Sequence, residues 1–301
     1  MDYQKIMGVE KLAEQCKGGG GVKISILDSG FPKPSIFGWP FRLSDVKPDE
    51  FGHATEVASI LFGGWGIRGV CEYACPYYYS VLDENGTGSV KSVSKGIRRA
   101  IDDDVDIINL SLGFMRTEKC PKELEKACEK AFDAGKTVIC AAGNDGGPVN
   151  WPAALNSTIS VGSAGENGLK TSFSSVGEVD FVAPGTNLSV ICPDGRIKTV
   201  SGTSFSSALV TGVAALLFWK IRHEYLIRPN MDYMLSALKG LSTDVSEPGW
   251  DKTTGYGLIS GKNADSTVCM KIEQGFFGKI IAKMQSLVGF GKTKEKNDGR
   301  V

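Results

Sequence analysis

The stretch SGTSFSSALVTGVAALLFWK, residues 201–220, decides how the chain is read. It opens on small and hydroxyl residues and then turns apolar. Residues 204–220 are apolar nearly all round, so they are expected to form a central helix buried on every side. Ser204 stands at its start. A serine there commonly caps a helix, because its side-chain oxygen accepts a free N–H of the first turn. Ser204 therefore reads as that cap or as a nucleophile, and the stretch alone does not choose.

Outward from the helix, strands and helices alternate. VKISILD (22–28) is a β-rich run that ends on an acid. HATEVASILF (53–62) reads as a helix, as does SVKSVSKGIRRAIDDD (89–104), which leads into the strand VDIINLSLG (105–113). CPKELEKACEKAFDAG (120–135) is a helix with Pro near its start and Gly at its end, and the strand KTVICAAGN (136–144) follows it. STISVGS and VDFVAPG supply further strands. This alternation predicts an α/β fold, a mostly parallel sheet covered by helices on both faces. The composition changes after GYGLISGKNAD (255–265), so one domain over 1–265 and an appendage over 266–301 are expected.

With 301 residues the chain can bury a sizeable core. The 34 basic residues balance 34 acidic ones, so nothing in that balance invites nucleic acid, which wants a basic surface, and no nucleic-acid partner is expected. No segment reaches the roughly 18 consecutive apolar residues of a membrane span, and the first residues lack a signal-length apolar run. The eight cysteines are scattered and do not resemble a disulfide scaffold. Cys71 and Cys75 form a C-x3-C pair, without the second pair that would complete a zinc site. They read as mostly reduced thiols, and the expected location is cytoplasmic.

In parallel sheets, functional groups gather beyond the C-terminal strand ends. Asp28, Ser111 with Gly113, and Asn144 close three of the expected strands. The chain has two histidines, His53 and His223. If Ser204 is a nucleophile it needs a base, and His53, opening its helix, is the natural candidate. Asp28 could hold the imidazole, giving the chain order Asp, His, Ser. Each residue also has a plain alternative. Asp-Ser-Gly makes turns, His53 can simply sit at a helix start, and Asn144 before Asp-Gly-Gly tolerates a left-handed turn.

ILDSG, GHATEVAS, INLSLG, AAGN, TSFSSVG…DFVAPG and GTSFSSALVTG, taken in that order, resemble the motifs of the subtilisin-like serine peptidases, the subtilases. The resemblance runs from about residue 3 to 265. It implies a three-layer subtilisin-like fold and hydrolysis of peptide bonds through an acyl-enzyme. It implies that Asp28, His53 and Ser204 form a catalytic triad and that the Asn144 amide donates to the oxyanion. Ser111, Leu112 and Gly113 would pair with an extended peptide, and Gly143 would line the pocket for the side chain before the scissile bond. Two rivals are a silent scaffold on the same fold and an esterase. The latter would want G-x-S-x-G, whereas GTSFS lacks the final glycine.

The sequence departs from the family pattern at several places. Glu56 stands where a second histidine is usual, three positions after His53, and could raise the His53 pKa. Ala54 replaces a glycine, and Ala208-Leu209 replace Pro-His. The family's calcium loop corresponds to LFGGWGIRG (61–69), which carries no side-chain oxygen ligand, so no metal and no cofactor are expected. The lead-in before Asp28 leaves no expected room for an inhibitory prosegment. In GFFGKIIAKMQSLVGFGK (275–292) apolar residues fall on one helical face, which could pack on the domain, meet a partner or lie on a membrane surface. The polar end after it reads as disordered. A peptide or protein substrate is the partner the resemblance implies.

Overall fold

The computed structural model describes residues 2–33 and 46–261. The amphipathic stretch 275–292, the polar end and the expected boundary at 265/266 lie outside the described residues. Two short helices, α1 (Tyr3–Met7) and α2 (Glu10–Gln15), lead into strand β1 (Lys23–Asp28). There follow α3 (His53–Phe62), β2 (Cys75–Ser80), α4 (Val90–Asp102), β3 (Ile107–Leu110), α5 (Lys122–Asp133) and β4 (Thr137–Ala141). β5 (Ile159–Ala164), β6 (Phe181–Pro184), β7 (Leu188–Ile191) and β8 (Ile197–Val200) precede the long helix α6 (Thr203–Tyr225). Helix α7 (Met231–Leu241) and the short strands β9 (Ser242–Thr243) and β10 (Leu258–Ile259) complete the described chain.

One sheet runs β2-β1-β3-β4-β5-β6-β10-β9, and every pairing is parallel except β10 with β9. The side-chain period of a strand explains the two covered faces. Ile26, Ile107 and Ile139 enter the core beneath α3 and α6, whereas their neighbours Leu27, Ile108 and Val138 enter the core beneath α4 and α5. A sheet covered twice needs apolar residues at consecutive positions, which is why its strands read as continuous hydrophobic runs.

Helix α6 packs against α3 and against β3 to β6. Among the described residues it is the helix long and apolar enough to cross a bilayer, yet most of it is buried inside the fold. Its all-round apolarity is thus that of a core helix. Two expected elements differ in extent: α6 runs on to Tyr225, and the strand expected over 105–113 is regular only for Ile107–Leu110. Beyond Leu110 the backbone leaves the sheet and is free to meet a ligand. The β7–β8 hairpin and strand β2 carry no clear period in the sequence. β2, CPYYYS, buries Tyr77 and Tyr79 in the core beneath α4 and Tyr78 in the core on the opposite face. Cys71 and Cys75 are free thiols, as are the other described cysteines.

Candidate active site

Strand order brings distant residues to one edge. β1, β3 and β4 are neighbours and parallel, so Asp28, Ser111 and Asn144 emerge at the same end of the sheet. α3 and α6 start at that end as well. The N-cap of α6 is Gly202, with φ +154, a conformation open to glycine alone. Ser204 therefore lies inside the first turn, and the helix has no side-chain cap. The Ser204 hydroxyl instead donates to the carbonyl of Ser111 at 3.0 Å. That geometry sets the capping alternative aside.

Ser204 is held by a buried polar network that the sequence pattern does not disclose. Thr211 Oγ1 donates to Asn109 Oδ1 at 2.9 Å, and Asn109 Nδ2 donates to Ser111 Oγ at 2.9 Å. Ser111 Oγ and Ser207 Oγ each reach the Ser204 carbonyl at 2.8 Å. These bonds fasten the first turn of α6 to the end of β3. In a dry environment such a network is fully satisfied or costly, so it fixes position.

Asp28 is fully buried, and both of its carboxylate oxygens lie 2.9 Å from His53 Nδ1. Its Oδ1 also accepts from the Ser29 N–H at 2.7 Å. The Ser29 hydroxyl sits between Asp28 and Asp49, 3.1 and 2.7 Å away, and accepts the Ala54 N–H. Asp49 takes the Gly52 and Thr55 N–H groups at 2.8 and 2.7 Å. It is thus an acidic anchor at the N-terminus of α3 and sets where His53 points. Sequence reading missed Asp49, although an acid three residues before a glycine at a helix start is a turn-and-cap signal.

His53 remains partly open to solvent, and its ring packs against Phe205, the residue after Ser204, with centroids 5.7 Å apart. Burial, the largest single influence, pushes its pKa down, but the charge and hydrogen bond of Asp28 together with the charges of Glu56 and Asp49 carry the net shift upward. The expected influence of Glu56 is therefore present, as a contribution smaller than that of Asp28. His223 lies elsewhere, stacked on Trp219.

Asn144 has a defined orientation. Its Oδ1 accepts from the Thr203 N–H at 2.8 Å and from Thr203 Oγ1 at 3.0 Å. A backbone N–H can only donate, so the oxygen must face Thr203 and the NH2 group is left for another acceptor. Gly143, at φ +119, is crowded: an added Cβ would lie 2.6 Å from both Asn150 Nδ2 and Ser175 Oγ. At Gly113 an added Cβ would meet Asn150 Cβ at 3.2 Å. Asn150 thus lies between the two backbone segments, and nothing local in the sequence marks it. A cleft of about 630 Å³ runs past His53 and Ser111, Leu112 and Gly113, walled by Phe51, Leu82, Phe114 and Met115.

Among the described residues no group of three His, Cys, Asp or Glu side chains is placed to hold a metal. The segment 61–69 forms a tight turn in which Gly64 and Ile67 exchange backbone hydrogen bonds.

The parallel sheet thus brings a buried Asp–His pair and the serine-bearing start of a core helix together at the C-terminal ends of its strands. The subtilase family matches residues 19–257, and the chain belongs to that family. It is 36% identical over 255 residues to the minor extracellular protease Epr of Bacillus subtilis (strain 168), covering 81% of this chain and 38% of that protein. It is 37% identical to a thermostable alkaline protease of Halalkalibacterium halodurans over 66% of this chain and 57% of that protein. Subtilisin NAT of Bacillus subtilis subsp. natto is 35% identical over 67% of this chain and 56% of its own length. The chain thus spans between 38% and 57% of the length of these curated relatives. A crystal structure of a lanthipeptide protease superposes with a TM-score of 0.77 at 22% identity, over 90% of this chain and 93% of that one, which shows the shared fold.

Proposed function

We propose that the protein is a serine endopeptidase acting through an acyl-enzyme. The observation that carries this reading is the fully buried Asp28 carboxylate clasping His53 Nδ1 beside the Ser204 turn. Asp28 holds the proton on Nδ1, so Nε2 carries the lone pair that accepts the serine proton. For attack, the Ser204 hydroxyl turns from the Ser111 carbonyl toward that nitrogen. Its oxygen adds to the scissile carbonyl, and the oxyanion meets the Asn144 NH2 and the Ser204 N–H. His53 then gives its proton to the leaving amine, and water repeats the sequence on the ester. Every step uses groups of this chain, and the reading assigns no cofactor.

The peptide lies extended along Ser111, Leu112 and Gly113, whose backbone has left the sheet. Gly143 and Gly113 flank the side chain before the scissile bond. The free thiols suit a reducing compartment, in keeping with a cytoplasmic site of action. A second reading keeps this chemistry for one dedicated peptide. It is favoured by the apolar cleft walls, with Phe51 and Met115 notably exposed, which can read several residues of one substrate.

Ser204→Ala tests the reading. Peptide hydrolysis and labelling by a fluorophosphonate should both vanish while the circular dichroism spectrum is unchanged. Retained turnover in that variant removes Ser204 from the reaction. Profiling of cleavage sites in a peptide library separates a general from a dedicated peptidase.

A further inference from the structure

Glu56 lies on α3 three residues after His53, close to one turn along the same face. It is buried, with only 5% of its surface exposed. Its counter-charge comes from outside the helix. Lys198 of β8 places Nζ 2.5 Å from Glu56 Oε1 and is itself half exposed. The β7–β8 hairpin touches α3 at two further places. The Ile191 N–H donates to Ser59 Oγ at 3.2 Å, and the Pro193 ring packs on Gly52, immediately before His53.

The charges facing His53 can be named element by element. Asp28 comes from β1, Asp49 from the segment ahead of α3, and Glu56 from α3 itself. α6 contributes the neutral ring of Phe205. The hairpin contributes Lys198, with the Cys192 thiol near both Lys198 and Glu56 and pushed up by burial. Three carboxylates therefore favour the imidazolium, and the cation that the hairpin brings to this cluster is paired with one of them, Glu56. An imidazolium cannot accept a proton, so a base surrounded by acids needs such a counter-charge.

We propose that Lys198 is a positioning residue for the base: paired with Glu56, it cancels that carboxylate's field at His53 and keeps the imidazole neutral closer to pH 7. The role of His53 as base rests on the proposed function, whereas the field itself does not. The Lys198 side chain is held near α3 by Glu56. Without Glu56 it would extend into water, where its charge is screened.

The experiment is imidazole NMR titration of the full chain. Only His53 and His223 give signals, and a His223→Gln control assigns them. Lys198→Met keeps an apolar stem and should raise the His53 midpoint by roughly half a pH unit, the order expected of one unit charge in a partly solvated medium. Lys198→Arg should restore the wild-type midpoint, and Glu56→Gln should move it far less than Lys198→Met does, because the carboxylate and its counter-charge leave together. In the Glu56→Gln background, Lys198→Met should move it by less than about a third as much, since the lysine is no longer held. The proposal is overturned if Lys198→Met leaves the midpoint in place, even if kcat/KM falls, or if the shift is equally large without Glu56. The acid limb of kcat/KM should move in parallel with the NMR midpoint. An NMR shift with no hydrolysis by any variant would retire the peptidase reading and leave the Lys198–Glu56 coupling standing.

Discussion

Replacing Asp28 with Asn tests the site by reversing one proton. The carboxylate is fully buried, and its Oδ1 is claimed by the Ser29 N–H at 2.7 Å. That N–H can only donate, so in the variant the amide oxygen must take the Oδ1 place and the NH2 falls at Oδ2. That position is 2.9 Å from His53 Nδ1. The oxygen at the Oδ1 place is equally close to Nδ1 but is already shared by the Ser29 N–H and hydroxyl, whereas the NH2 needs an acceptor, so the variant favours the tautomer in which Nδ1 has given up its proton and accepts. The proton then resides on Nε2, the nitrogen that has to receive the serine proton. Such a reversal of tautomer costs a Ser-His-Asp triad about 10⁴ in kcat, or about 5.5 kcal/mol of transition-state stabilisation. The pH profile should change too. Burial lowers the His53 pKa and Asp28 is the main reason that it is nonetheless raised. In the wild type the acid limb should therefore lie above the ordinary histidine value of about 6.5. In the variant burial prevails and the limb of the residual activity should move below it. The assay is kcat/KM on an internally quenched peptide between about pH 5 and 9, with circular dichroism as the fold control. A loss smaller than tenfold, or an acid limb that stays where it was, would refute the tautomer argument.

Further substitutions probe other parts of the site and the fold. Asn144→Ala should lower kcat by roughly 10²–10³ with little change in KM, a magnitude borrowed from the equivalent oxyanion donor of subtilisin rather than derived from this structure; an unchanged kcat removes Asn144 from the oxyanion hole. Asn150→Gly should open the space between Gly113 and Gly143, raising kcat/KM for peptides with an aromatic residue before the scissile bond by about tenfold relative to alanine there; an unaltered preference places the pocket elsewhere. Asp180, pushed up to about 6 by burial, accepts the Ser160 N–H at 2.8 Å. Its folded-state pKa exceeds the unfolded one, so stability should fall as pH rises from about 4 to 6 and stay lowered above that. Asp180→Asn should thus stabilise the protein at pH 7.5 by about 1–2 kcal/mol and have little effect near pH 4, read from denaturation midpoints; equal effects at both pH values contradict this. EGTA should shift Tm by less than about 2 °C, because segment 61–69 offers no side-chain oxygen, and a larger fall would reveal a bound calcium ion.

The sequence by itself determined the fold class and the chemical cast. Continuous apolar runs alternating with helices specify a doubly covered parallel sheet, because consecutive strand residues face opposite cores, as Ile26 and Leu27 do. Asp28, Asn144 and Ser204 could be singled out because they stand where an apolar run ends or begins, and His53 because the chain has so few histidines. What these residues touch was decided only in three dimensions. Whether Ser204 caps its helix depended on the Gly202 backbone and on a carbonyl 93 residues earlier. The Ser29–Asp49 bridge, the reach of Asn150 between Gly113 and Gly143, and the pairing of Lys198 with Glu56 have no local period to betray them. Periodicity records which face of an element is buried. It does not record which strand lies beside which, and here the order β2-β1-β3-β4 and the docking of the β7–β8 hairpin on α3 choose each partner.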